Sequence, residues 1–356
     1  MQIGQKLNQV ALRESGKTAK ILKTPEKNTP IKDQVRLSSA AKTGKIDLNG
    51  RDFPGAKLDS VDFRKRDLKG GNFQGAVINK TNFIQADLTN ADFSESVIDS
   101  SRFSANSRGA DLRGANFNAS RVNQCNFFLT PLNGAAFKGA VFSACSFEKA
   151  YVKDTDLRGV TLNNCNFTEA KFKRSNLEGV DLSSCNPEQT EFDEAKMKGA
   201  SFRGNQEGFR TSFYKTDLSK TDFAESKFQR TYFCDANLAK ADLSNGNFKG
   251  SDFRGSDMRN ADLREADFSP FREVAQYLDC SQVETTRTDL RGADLRGVDL
   301  RGTDLRKARL DGAVMDETTK LEGADLRGAG VKGLQLNGAD LSRAKRSIKD
   351  KILHRP

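Results

Sequence analysis

From Leu48 onward an aromatic or aliphatic residue falls at every fifth position: Phe53, Leu58, Phe63, Leu68, and so on to Phe103. The register restarts at Leu112 and runs to Phe202, with Pro187 its one non-apolar centre. It then runs from Phe213 to Phe268, from Leu290 to Met315 and from Leu321 to Leu341. These blocks hold 54 five-residue units, and 22 of the 25 Phe stand at a unit centre, so the pattern is built around the aromatic position. Only Phe128, Phe209 and Phe271 fall outside it. Two residues before each centre sits a small residue, and the residue just before the centre is usually Asp or Asn, as in RGADL, RGVDL and RGTDL between 291 and 305. A period of five matches neither the 3.6 of a helix nor the 2.0 of a strand. It fits a coil that turns a corner every five residues, each side pointing one large and one small residue inward.

The number of sides is also legible. Between 53 and 103 the centres alternate Phe with Leu or Ile, a ten-residue period that places like residues on opposite sides. Cys125, Cys145, Cys165 and Cys185 all occupy the small inward position and recur at every twentieth position. Four sides of five residues stack like on like. At the ~4.8 Å spacing of paired strands, 54 units make roughly 13.5 coils and a rod on the order of 65 Å long.

Tandem A(D/N)(L/F)xx units over about three-quarters of the chain resemble the pentapeptide-repeat proteins. The resemblance implies an all-β fold: a right-handed, parallel, quadrilateral β-helix solenoid in which each coil buries its core mainly against its neighbours. Around it the sequence predicts caps and one insertion. Residues 1–45 read as a basic, polar leader with a short amphipathic helix, in which Ile3, Leu7, Val10 and Ala11 share a face. The β-helix occupies 46–268 and resumes at 288–341, and 342–356 reads as a basic capping helix in which Ala344, Ile348 and Ile352 recur every four residues. The segment 269–287 changes period: Ser269 suits an N-cap and Pro270 a first turn, and Phe271, Val274, Ala275 and Leu278 share one helical face. Counted from Phe268 to Leu290, it adds seventeen positions to one ordinary step. The outward face of this insert would present Arg272, Glu273, Gln276 and Tyr277, the candidate partner-binding residues. Smaller breaks are expected around SANSRG after Phe103 (four extra residues), near NQEGF after Phe202 (one) and at DETTK after Met315 (one).

Composition narrows the chemistry. There is no Trp and a single His, at 354, which leaves no basis for His-centred catalysis or metal binding. No P-loop or dinucleotide fingerprint is present. No apolar run approaches the ~18 residues of a membrane span. The stretch up to Pro30 lacks the apolar core of a Sec signal peptide, so the six Cys are read as reduced thiols. The Cys column is read as a structural ladder, because a linear stack does not converge on the tetrahedral geometry of zinc. Cys234, just after a centre, and Cys280, in the insert, are expected to be the accessible ones. The formal charge of +10 sits in the tails: +7 over 1–45, +5 over 342–356 and −2 for the body. No cofactor or metal is expected, and the chain does not read as an enzyme.

The expected role is a non-enzymatic protein-binding scaffold or regulator. Its setting would be the bacterial cytoplasm or, as a secreted effector, a host cell, the latter reading resting on the unfolded character of residues 1–45. The alternatives are a DNA-mimicking protection factor for gyrase, as the resemblance allows, and nucleic-acid binding through the basic tails. Both sit poorly with a body of −2 that lacks interleaved exposed aromatics. The expected partner is another protein, and the resemblance implies dimerisation through the C-terminal end.

Overall fold

The structure, a computed structural model, describes residues 53–105, 108–269 and 288–346. All of them fall within one compact unit, Val35–Pro356; a second unit, Met1–Gln34, lies outside the described residues. The local geometry follows from the pentad. Each Asp or Asn before a centre accepts the backbone N–H two residues on, as Asn72 Oδ1 does from Gln74 (2.9 Å) and Asp92 Oδ1 from Ser94 (2.9 Å), which is the hydrogen bonding these side chains favour at turns. The centre's carbonyl then accepts the N–H three residues later, as Phe73 does from Ala76 (3.0 Å), and the chain turns its corner. The second corner residue takes a left-handed φ, about 65° at Gly75 and 57° at Lys65.

Coils stack in register. On one wall the pairing is regular enough to form three-residue strands: β1 (Lys57–Asp59), β2 (Val77–Asn79) and β3 (Val97–Asp99) pair in parallel. A short antiparallel hairpin follows, β4 (Ser104–Ala105) with β5 (Arg108–Gly109). The parallel sheet then continues through β6 (Arg121–Asn123), β7 (Val141–Ser143) and β8 (Thr161–Asn163). Elsewhere single parallel bridges join equivalent positions of successive coils, such as Asn126 to Ser146 to Asn166 to Asn186. The four walls are numbered by the first centre of each: wall 1 from Phe53, wall 2 from Leu58, wall 3 from Phe63 and wall 4 from Leu68.

The interruptions shift this register as physical insertions must. The hairpin adds four residues to its coil, so β3 pairs β6 at a separation of twenty-four (Val97 with Arg121). Gly109 closes the hairpin against wall 4, where an added Cβ would lie 2.8 Å from Thr130 Cα. One extra residue separates Ser201 from Asp222, and another Asp299 from Lys320. At the expected insert the register corrects the sequence count. Asp257, Asp262 and Asp267 bridge Asp289, Asp294 and Asp299, each at an offset of thirty-two. Leu290 therefore belongs to wall 1 and not wall 4. The surplus is twelve residues beyond a regular coil, because the span between Phe268 and Leu290 makes two steps of the coil where one was assumed.

The predicted helical insert is described only at Ser269, and Arg272, Glu273, Gln276 and Tyr277 lie outside the described residues, as do residues 1–52 with the predicted N-terminal helix. The C-terminal boundary moves. Ser342–Arg346 continue the solenoid, with the Asp340 carboxylate accepting the Ser342 N–H (2.8 Å) and Lys345 bridging Asp325. The predicted helix from 342 is not present over these residues; 347–356 lie outside the description.

The core is a solid column. Phe rings stack up walls 1 and 3, as in Phe73–Phe93 (4.7 Å, 8°) and Phe83–Phe103 (5.0 Å, 8°), and meet edge to face across the axis, as in Phe83–Phe93 (6.0 Å, 89°). Such offset and edge geometries suit the ring quadrupole. Wall 3 then changes character: above Phe167 come Pro187 and Gly208, and the Phe228 ring drops onto Gly208, where it would meet any added Cβ. Ser and Thr at the small position bond the coil beneath, as Thr211 Oγ1 does to the Pro187 carbonyl (2.8 Å) and Thr216 Oγ1 to that of Phe192 (2.7 Å). Among the described residues no buried side-chain N or O is left without a partner.

Candidate partner-binding surface

A filled axis leaves the outside as the workplace. A void beside Leu310, Met315 and Leu326 measures about 10 Å³, room for no more than a water. Among the described residues open grooves lie on the surface, one of about 320 Å³ between Arg264, Arg296 and Asp316 and one of about 250 Å³ between Ala105 of the hairpin and Phe128. Among the described residues no group of His, Cys, Asp and Glu could hold a metal ion. No helix among them is long and apolar enough to cross a membrane.

The thiol ladder is placed as the spacing predicts. Cys125, Cys145, Cys165 and Cys185 are free, buried and stacked on wall 3. Their sulfurs are spent on backbone carbonyls, Cys125 Sγ to Asn123 (3.2 Å) and Cys145 Sγ to Ser143 (3.4 Å). The Cys145 thiol is pushed up by its neighbours Cys125 and Cys165 and then by burial, and Cys185 by Cys165 and then burial, so these two stay protonated. Asn205 ends the run, donating Nδ2 to the Cys185 carbonyl at 2.7 Å. Cys234 differs from expectation: it is buried and disulfide-bonded, neither accessible nor a reduced thiol. Cys280 lies outside the described residues.

The carboxylate rows are neutralised where they are densest. In the C-terminal third an Arg sits two residues after the wall Asp and folds back onto it in a two-pronged clasp. Arg296 places Nε 2.9 Å from Asp294 Oδ1 and Nη2 2.6 Å from Oδ2; Arg306 repeats this on Asp304 and Arg327 on Asp325. The Arg327 guanidinium holds Asp325 down to about 2. The row Arg291, Arg296, Arg301 and Arg306 is thus a row of local pairs.

The remaining outward signal is aromatic. Among the described residues, every aromatic side chain that is not a unit centre lies on wall 4 or at one of its two corners. Tyr151 and Tyr232 stand on the wall, Phe128 and Phe209 at the corner shared with wall 3, and Tyr214 at the corner shared with wall 1. Cations lie over the rings: Lys149 over Phe128 (5.7 Å), Arg210 and Arg230 over Phe209 (5.2 and 5.9 Å) and Lys215 over Tyr214 (5.0 Å). Outward-facing aromatics with Arg are the composition that marks protein contact surfaces. The sequence held this signal, because positions one coil apart share a wall.

Comparison with known proteins places these features in context. Profiles described as "Pentapeptide repeats (8 copies)" match residues 56–95, 216–255, 235–269 and 286–319, and one described as "Pentapeptide repeat region" matches 135–208. Together they cover more than half of the chain. Among solved structures the chain is similar to HetL, a pentapeptide repeat protein involved in heterocyst differentiation regulation from the cyanobacterium Nostoc sp. strain PCC 7120. That match has 18% identity, covers 85% of this chain and 92% of HetL, and has a TM-score of 0.27. It is also similar to a trypsin-treated form of QnrB1, a plasmid-mediated fluoroquinolone resistance protein, at 19% identity over 62% of this chain and 89% of that one, TM-score 0.31. No curated protein matches the chain.

Proposed function

The chain belongs to the pentapeptide-repeat family, and from that premise we propose that it is a non-enzymatic rod whose role is to bind another protein on its outer surface, as a scaffold or regulator. One observation carries the proposal. Between Asp257 and Asp289 the chain takes thirty-two positions to complete a circuit that needs twenty, while the walls on either side keep their register. Twelve residues that the coil does not require are an addition for something other than stacking, and they fall in the segment that contains Arg272, Glu273, Gln276 and Tyr277.

The test compares proteins captured by the full chain with those captured by a variant lacking twelve residues of 270–287, which preserves the coil register. Loss of one captured partner supports the proposal; identical sets from both chains remove this segment from it. Delivery as a secreted effector belongs to the same proposal, and deletion of residues 1–30 should then abolish export. The gyrase-protection alternative is weakened by the Arg–Asp clasps, which cancel the negative rows a duplex mimic would need. A supercoiling assay with a fluoroquinolone decides it.

A further inference from the structure

Wall 4 is complementary to itself. Two consecutive levels of it carry opposite charge. One presents Lys171, Lys173 and Arg174, and the level stacked on it presents Glu191, Asp193 and Glu194, Lys171 bridging Glu191 in the backbone ladder. Within the chain Lys171 Nζ meets Glu191 Oε1 at 2.9 Å and Lys173 Nζ meets Glu194 Oε1 at 2.9 Å, and both pairs are more than a third exposed. A positive level beside a negative one meets its opposite when the wall is turned end for end.

We propose that two copies of this chain associate antiparallel through wall 4, about a two-fold axis that passes between the level of Lys171 and the level of Glu191. That axis sets Lys171, Lys173 and Arg174 against Glu191, Asp193 and Glu194 of the second copy, and the reverse, turning isolated surface pairs into one alternating array. A parallel arrangement would set like charge against like.

The same axis also pairs the aromatic corners. It brings the level of Phe128 opposite the level of Arg230 of the second copy, and the level of Phe209 opposite that of Lys149. These are the cations that already lie over such rings within one chain, Arg230 over Phe209 and Lys149 over Phe128. On the wall itself Tyr232 comes level with Pro131 of the second copy. One axis therefore serves the wall charges of the two central levels and the rings of the outer ones, and Tyr and Arg are among the side chains that carry most interface energy. Six levels at ~4.8 Å and walls roughly 16 Å wide give a buried area on the order of 1,000 Å² in total, the lower edge for a specific interface, so the association is concentration-dependent.

This inference goes beyond the partner-binding proposal and uses a different surface, so either can fail alone. Sedimentation velocity on the full chain tests it. The wild type should form a dimer at micromolar concentration that dissociates as salt rises. K171E/K173E and E191K/E194K should each be monomeric, weakened about 100-fold or more. An equimolar mixture of the two should regain the dimer, because each then offers the charge that the other needs. Recovery in the mixture also shows that both variants are folded. If either variant misfolds by circular dichroism, Phe128→Ser stands in, with an expected loss of about tenfold. A wild type that stays monomeric, a dimer that survives the reversals, as one held by the C-terminal end would, or a mixture of folded variants that stays monomeric overturns the proposal.

Discussion

The ring of Phe228 lies over Gly208 in the space that a side chain there would fill, directly above Pro187 in the same column. Wall 3 thus passes from Phe167 through two nearly side-chain-free centres and recovers its packing by borrowing a ring from the coil above. Gly208→Ala should cost about 1–3 kcal/mol, the range for overpacking a filled core. Gly134→Ala, at a corner with φ of 69° and nothing within 4 Å of the added Cβ, isolates backbone strain and should cost roughly 1 kcal/mol. Chemical denaturation of both variants checks the order. Equal or reversed costs would mean that Phe228 is not seated over Gly208.

The Arg–Asp clasps predict a direction for acid stability. Asp257, Asp262, Asp294 and Asp304 are held below the usual carboxylate value by hydrogen bonds from Arg259, Arg264, Arg296 and Arg306, and Asp325 is held to about 2 by Arg327. A carboxylate whose pKa is lower folded than unfolded contributes stability above its unfolded value, near 4, and loses it as pH falls through the folded value. Melting temperature should therefore be flat from neutral pH to about 4 and fall steadily between about 4 and 2. Each pair is solvent-exposed, so replacing Asp304 and Asp325 by Asn should flatten this fall only in part.

The pentad made most of the fold legible, because a five-residue period with a twenty-position echo admits one simple stacking. Three features escaped it, each for a physical reason. Gly208 is a centre without a hydrophobic signal, so the break after Phe202 could be counted but not filled. The span from Phe268 to Leu290 reads the same whether it makes one step or two, and only the bridge from Asp257 to Asp289 decides. Around Ala344 the four-residue spacing pointed to a helix, yet Lys345 still pairs with Asp325, because one more rung satisfies backbone groups that a helix start would leave open. For the surface, Tyr151 and Phe209 look scattered along the chain and come to wall 4 and its corner only once the coil is counted.

The thiols of the ladder should be silent until the rod opens. With the native fold intact, Cys125, Cys145, Cys165 and Cys185 should not react with a thiol reagent at neutral pH, and all four should react in denaturant. Cys165→Ser should cost no more than about 1–2 kcal/mol, since Ser101 fills the equivalent position lower in the same column, whereas Cys165→Leu should cost about 1–3 kcal/mol by overpacking. Rapid labelling of two or more native thiols would contradict the stacked column.

Register also sets how much of the 270–287 segment can be removed. A deletion of twelve residues that retains Cys280 should leave the melting temperature within a few degrees of wild type, because the neighbouring walls keep their pairing. Removing all of 270–287 leaves fourteen positions for a circuit that needs twenty, and should lower the melting temperature sharply or split the transition into two. Equal behaviour of the two deletions would show that no wall is completed there.

The central claim is that each circuit of the chain advances the solenoid by one strand spacing. Paired spin labels on wall 2 measure this directly. Lys57 and Thr161 are five coils apart through the pairings from β1 to β8, and Lys57 and Asp242 nine, since Asn166 bridges Asn186 one coil on and Asp181, Ser201, Asp222 and Asp242 then pair in turn. At ~4.8 Å per coil the two distances should be roughly 24 and 43 Å, in a ratio close to 5:9. Distances that do not grow with the number of coils, or that are nearly equal, would contradict the stacked four-walled column.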